Sequence, residues 1–198
     1  MRTNTCLAGT MLAATLLAAP AFAQTAKTAE IENANAPDQT PAFENQTRAA
    51  LPDVMPQISV DVVADGLPHL WSMEFLPDGR ILVTTKDGAM HVVSQENGEA
   101  SPPIEGVPAV MSEGQGGLLD VALAPDFESS SRIYFSFSEP REGGNGTSVA
   151  SARLTEEEGK LALQDVKVIF QQMPTYDGDK HFGSRLVFGP EGPITGSQ

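Results

Sequence analysis

The stretch Gly114-Gln115-Gly116-Gly117-Leu118-Leu119-Asp120-Val121-Ala122-Leu123-Ala124-Pro125-Asp126-Phe127 decides the fold. A glycine-flanked polar turn runs directly into a strand in which Leu119, Val121 and Leu123 alternate with Asp120 and Ala122, and Pro125-Asp126 stops it. The same ending, an apolar strand followed by proline and an acid, recurs at Phe75-Leu76-Pro77-Asp78-Gly79 and at Phe188-Gly189-Pro190-Glu191-Gly192. Strand units repeated with polar turns between copies are how a propeller is written, each unit being one blade. Pro77, Pro125 and Pro190 lie 48 and 65 residues apart. A blade takes about 40–50 residues, so the first interval is one blade and the second is a blade with an insertion, placed in the polar stretch 171–180.

The rest of the folded part reads as nearly all strand. Residues 58–63 are β-branched and alternating. Trp71, Met73 and Phe75 alternate with Ser72 and Glu74, the period of a half-buried strand, with Trp71 in the core. Asp78-Gly79 and Asp87-Gly88 are hairpin turns around strands over 80–85 and 89–93. In the second unit strands are expected over 132–137, 147–154 and 161–170, with Asn145-Gly146 as the hairpin turn. Arg185-Leu186-Val187-Phe188 opens the third. Asp120 points away from the apolar face and is assigned no chemistry.

The N-terminus reads as an export signal over residues 1–23. Arg2 precedes an apolar run from Cys6 to Ala19, and Pro20 leads to Ala21-Phe22-Ala23, a small-x-small cleavage site. The run is short for a membrane span, so no membrane association is expected after cleavage, and the location is periplasmic or secreted. Residues 24–56, rich in Ala, Asn, Gln, Thr and Pro, read as a disordered linker. One domain then covers 57–198. The single cysteine, Cys6, falls in the signal, which excludes a disulfide. The net charge of −14 excludes nucleic acid as a partner and fits a neutral or cationic small molecule.

Three histidines are candidates for chemistry. His91 lies inside a short strand and reads as a solvated or edge residue, and His69 reads as a packing or turn residue. His181 ends the loop Tyr176-Asp177-Gly178-Asp179-Lys180 and precedes Phe182-Gly183-Ser184-Arg185 and a strand. Loops positioned by rigid strands are where propellers keep their sites. A neutral imidazole there can take a proton from a hydroxyl, so His181 stands as either a loop residue or a base. Asp177-Gly178-Asp179 lacks the spacing of a calcium loop and reads as a solvated acidic turn. No zinc spacing, nucleophile elbow or phosphate loop occurs. Asn45-Gln46-Thr47 and Asn145-Gly146-Thr147 match a glycosylation pattern but read as linker and turn.

Three blocks in register carry a family resemblance. They are Leu70-Trp71-Ser72-Met73-Glu74-Phe75-Leu76-Pro77-Asp78-Gly79-Arg80, then Gly106-Val107-Pro108 with the 114–127 stretch, then His181-Phe182-Gly183-Ser184-Arg185-Leu186-Val187-Phe188. Together they resemble the soluble PQQ-dependent sugar dehydrogenases (glucose/sorbosone and aldose sugar dehydrogenases). The resemblance implies an all-β, six-bladed propeller with pyrroloquinoline quinone (PQQ) and Ca2+ as cofactors and a small-molecule sugar as substrate. It implies that His181 is the general base for the anomeric hydroxyl while hydride passes to the quinone, and that Gln115 lines the cofactor site. It assigns no metal ligand within the chain. Arg185 is left to pair either with a carboxylate near the site or in a structural salt bridge.

Two departures are visible. His69-Leu70-Trp71 stands where the family has His-Pro-Trp. After Phe188 the sequence Gly189-Pro190-Glu191-Gly192-Pro193 leaves the family's course, and Pro193 removes a strand donor. The expectation is a propeller truncated at the C-terminus to about half its blades, with exposed sheet edges, poor solubility and no activity alone. Two other readings are a non-enzymatic sugar-binding propeller and a metal-dependent, sugar lactonase-like propeller. The lactonase reading requires converging carboxylate and Asn ligands, which the sequence does not offer.

Overall fold

The computed structural model describes residues 38–43, 54 and 56–189, and the backbone of 192–195. The export signal and most of the linker lie outside the described residues. The chain divides into two units, Met1–Ser59 and Val60–Gln198. The described residues of the first carry no helix or strand and are exposed.

The second unit is built from antiparallel sheets in chain order. The first contains β1 (Leu70–Phe75), β2 (Ile81–Thr85) and β3 (Met90–Val93), in the order β1-β2-β3. The second contains β4 (Leu118–Leu123), β5 (Arg132–Arg141), β6 (Gly144–Glu157) and β7 (Lys160–Gln171), again a simple meander. One helical turn, α1 (Phe127–Ser130), follows β4. β8 (Leu186–Gly189) opens the third sheet and pairs with β9 (Gly192–Thr195), which places Pro193 opposite Phe188 on a two-stranded edge. Each sheet is one blade, and the fold is an all-β propeller architecture of which these are successive blades. β1, β4 and β8 lie side by side as the strands that begin each blade.

The blades stack through complementary faces. Leu82, Met90 and Val92 of the first sheet meet Ile133, Phe135, Phe137, Ala150 and Ala152 of the second in one buried cluster. Register puts Ala150 opposite Phe135 and Ala152 opposite Ile133, so small side chains on β6 make room for large ones on β5. Full burial of a side chain such as Phe135 contributes roughly 2–3 kcal/mol. The other side of the second sheet receives β8. Tyr134 meets Phe188 edge to face with ring centroids 5.3 Å apart, and the Ser136 and Ser184 hydroxyls hydrogen-bond.

Four expectations are corrected. Residues 58–63 form no strand, and Ile58, Val60 and Val62 are exposed, because no described strand edge pairs with them and a strand exists only as part of a ladder. The alternation in β1 is present, but its apolar side faces outward: Trp71 is 39% and Phe75 57% exposed, while Ser72 and Glu74 are half-buried. Trp71 sits at a register shift between Leu70 and Ser72 and is not core. The second-blade hairpin turns at Glu142-Gly143; Asn145 and Gly146 already pair with Pro140 and Glu139. Three glycines lie near that turn, and Gly143 has the positive φ, 80°, that the turn uses. His91 is on an outer strand, β3, as the edge alternative has it, but it is buried and not solvated, with Nδ1 2.8 Å from the Ser101 carbonyl oxygen. The loop segment that adds Ser101 to β3 covers it.

Candidate functional site

Two loops meet at the start of β4 and β8. The first is the turn containing Gly114, Gln115, Gly116 and Gly117. Its glycines are required by proximity. A Cβ at Gly114 would land on the carbonyl and carboxylate of Asp179, and one at Gly117, where φ is 148°, on the Lys86 carbonyl. Ser138 Oγ accepts from Gly117 N–H at 2.7 Å, which fixes the turn to β5.

The second loop joins β7 to β8, where the insertion was expected. Asn145 Nδ2 donates to the Gly178 carbonyl at 2.8 Å, and the Asn145 and Tyr176 backbones pair. The Asp177-Gly178-Asp179 stretch is therefore not a free acidic turn: Gly178 and Asp179 are half-buried and held. Gln115 N–H donates to the Asp179 carbonyl at 2.6 Å, and Gln115 Oε1 accepts from His181 N–H at 2.7 Å. Thus Gln115 and His181, 66 positions apart, are brought together. His181 has φ 67°, the left-handed region, which costs a non-glycine residue on the order of 1 kcal/mol and persists only where the surroundings fix it. The His181 side chain is exposed, whereas the next residue, Phe182, is buried and anchors the loop.

Asp120, given no role from sequence, is the residue that reading missed. Its side chain is 4% exposed. Oδ1 accepts from Ser72 Oγ at 2.7 Å, and Oδ2 accepts from Leu186 N–H at 2.5 Å. Arg185 Nη1 stands 3.4 Å from Oδ1. The carboxylate therefore joins β1, β4 and β8. Arg185 makes this structural salt bridge. A signal was present: an acid in the middle of a fully apolar run is buried and requires partners. Glu74 faces the same cluster. Burial raises its carboxyl above the ordinary value, with Arg185 pulling it down and Asp120 pushing it up. His69 is exposed, its carbonyl accepting from Lys86 N–H at 2.8 Å.

Among the described residues, no three His, Cys, Asp or Glu side chains converge on a metal position. No described helix is long and apolar enough to cross a membrane. A cavity of about 350 Å³ lies at the opposite ends of β1 and β4, where Arg80 bridges Asp78 and Glu156, away from Gln115 and His181.

Residues 67–197 match the model of the glucose/sorbosone dehydrogenase family. The chain belongs to that family. Among relatives, it is 43% identical over 137 residues to the aldose sugar dehydrogenase of Escherichia coli (strain K12), covering 68% of this chain and 36% of that protein. A solved structure of a glucose dehydrogenase aligns with a TM-score of 0.63 at 46% identity, over 68% of this chain and 41% of that one. The PQQ-bound form of an aldose sugar dehydrogenase from Streptomyces coelicolor aligns with a TM-score of 0.54 at 29% identity, over 67% of this chain and 38% of that one. This glucose/sorbosone dehydrogenase family chain spans about a third of the length of the curated relatives it matches. All three sequence blocks of the family lie within the matched region, as do Gln115, Asp120 and His181.

Proposed function

We propose that this chain carries the proton-accepting rim of a PQQ-dependent aldose dehydrogenase, acting in the periplasm or outside the cell. The observation that carries this reading is the Gln115–His181 pairing at the mouth of the first strands of neighbouring blades. Family membership and the PQQ-bound relative support it.

The residues present fit one edge of a flat quinone. Gln115 commits its Oε1 to the His181 backbone, which leaves the amide nitrogen as a donor. Glycines 114, 116 and 117 let the turn pack against Asp179, Met111 and Lys86, which sets Gln115 at that edge. When bound, PQQ supplies a hydride acceptor for the anomeric carbon of the sugar. His181 accepts the proton of the anomeric hydroxyl through a ring nitrogen, and its exposed ring reaches substrate from solvent. Its backbone is held on both sides, so the ring is presented from a fixed point. No three His, Cys, Asp or Glu side chains converge among the described residues, and no role is derived for a calcium ion within them.

The test is aldose oxidation by the intact protein with PQQ added, followed by dye reduction. His181→Ala is expected to abolish turnover while leaving the folded spectrum and PQQ binding in place. A His181→Ala protein that oxidises aldose at the wild-type rate overturns the reading.

A further inference from the structure

We propose that Asp120 is a positioning residue that acts through the 179–186 segment: its buried carboxylate ties the start of β8 to β1 and β4 and so holds the loop from which His181 is presented. The proposal rests on the reading of His181 given above for its catalytic consequence, but its structural part stands by itself.

Besides the buried Phe182 and the Arg185–Asp120 ion pair, four hydrogen bonds fasten the segment. Gln115 N–H holds the Asp179 carbonyl, and Gln115 Oε1 holds His181 N–H. Ser136 and Ser184 hydroxyls meet, and Asp120 Oδ2 accepts from Leu186 N–H at 2.5 Å. The first two fastenings come from the 114–117 turn, which is itself tied to β5 through Ser138. The last two come from β4 and β5 of the packed second blade. Asp120 is the charged one of these, and charge-assisted hydrogen bonds are about twice as strong as neutral ones.

Its other oxygen explains why a carboxylate stands here. A serine or asparagine on β4 would reach one neighbour well. Asp120 accepts from Ser72 on the first blade and from Leu186 on the third, with Arg185 balancing its charge from the solvent side. Three blades are thereby registered on one side chain. Glu74, half-buried, adds a second acid near enough to Arg185 to feel its charge. The left-handed backbone of His181 costs energy and persists only where its surroundings fix it.

The test compares wild type with Asp120→Asn and Ser72→Ala in the intact protein. The first readout is limited trypsin cleavage after Lys180 and Arg185, both exposed, against cleavage after Lys86 and Arg132 as internal references. Asp120→Asn is expected to speed cleavage after Lys180 about tenfold with the reference sites unchanged, and Ser72→Ala to speed it about threefold. The second readout is quinone-dependent turnover, where Asp120→Asn lowers kcat about tenfold with PQQ affinity held within about twofold. Should Asp120→Asn not fold, Ser72→Ala carries the same comparison.

Unchanged cleavage after Lys180 in folded variants overturns the proposal, as does an equal rise at all sites, which is global loosening. A wild-type protein inactive with PQQ, yet showing the selective cleavage change, overturns the dehydrogenase reading and leaves the positioning role standing.

Discussion

Gln115 holds His181 by its backbone and not by its ring: Oε1 accepts the His181 N–H at 2.7 Å, while Gln115 N–H is anchored on the Asp179 carbonyl. The glutamine has two separable jobs, acceptor toward the loop and amide donor toward whatever binds beside it. Gln115→Glu keeps the acceptor and loses the donor; Gln115→Ala loses both. Exchange of the His181 amide with solvent is therefore expected to rise about tenfold in Gln115→Ala and to stay near wild type in Gln115→Glu, whereas PQQ affinity drops in both. Equal amide exchange in all three proteins removes Gln115 from the loop's support.

The glycines of the same turn make a second prediction. Gly114→Ala drives a methyl into Asp179 at a positive φ, so the two loops must part. Gly159 has a positive φ of 77° but open space around it. Gly159→Ala is expected to cost only the backbone term, about 1 kcal/mol by denaturant midpoint, with turnover unchanged. Gly114→Ala is expected to cost more and to reduce turnover at least tenfold. Indistinguishable variants would mean that the loops are not in the close contact described.

What the sequence made legible follows from what its pattern encodes. The order of strands and the Pro-acid endings at Pro77 and Pro125 were readable because alternation and turn residues are local properties; Gln115 and His181 were reached through the family blocks, and the fold sets the side chain of one on the backbone of the other. The facing of β1 was not: alternation separates Trp71 from Ser72 but does not say which side meets the next blade. Strand 58–63 failed for a related reason, since β-branched alternation describes a strand only if an edge is available to pair with it. Asp120 was misread because periodicity treats a polar residue as outward-facing, whereas here three strands from different blades converge on it. The hairpin at 142–143 was displaced by three residues because Glu142-Gly143-Gly144-Asn145-Gly146 offers several turn dipeptides, and only the β5–β6 register selects one.

Acid titration separates two carboxylates of opposite sense. Hydrogen bonds from Arg80 hold the Asp78 carboxyl below its ordinary 3.8, more than burial lifts it. The folded state then releases that proton first, so the stabilisation is present above pH 3.8 and is lost as pH falls through the lowered value. Asp78 is half-exposed, which keeps the effect small. Glu74 is raised above 4.5 by burial, so the folded state keeps its proton longer and stability falls as pH rises from 4.5 through the raised value. Urea midpoints across this range should show Asp78→Asn flattening the acid limb and Glu74→Gln flattening the decline above it. Curves parallel to wild type would contradict both assignments.

Trp71 is the sole tryptophan, so its fluorescence reports on one face of the first blade. That face carries Leu70, Met73 and Phe75 with it, all exposed, and behind them Ile81, Val83 and Val93, partly covered by Ala64 and Leu67. An indole 39% exposed beside mobile solvent emits toward the long-wavelength end and is open to acrylamide, whereas a core indole is neither. The 198-residue chain is therefore expected to show red-shifted, readily quenched emission that changes little before the core unfolds. Phe135→Ala provides the contrast, because Phe135 is fully buried between the first and second blades and its loss costs about 3–5 kcal/mol. Its unfolding midpoint should fall sharply while the native emission of Trp71 stays where it is. Blue-shifted emission protected from acrylamide in the wild-type chain would show that this face is covered, and the outward orientation of β1 would be wrong.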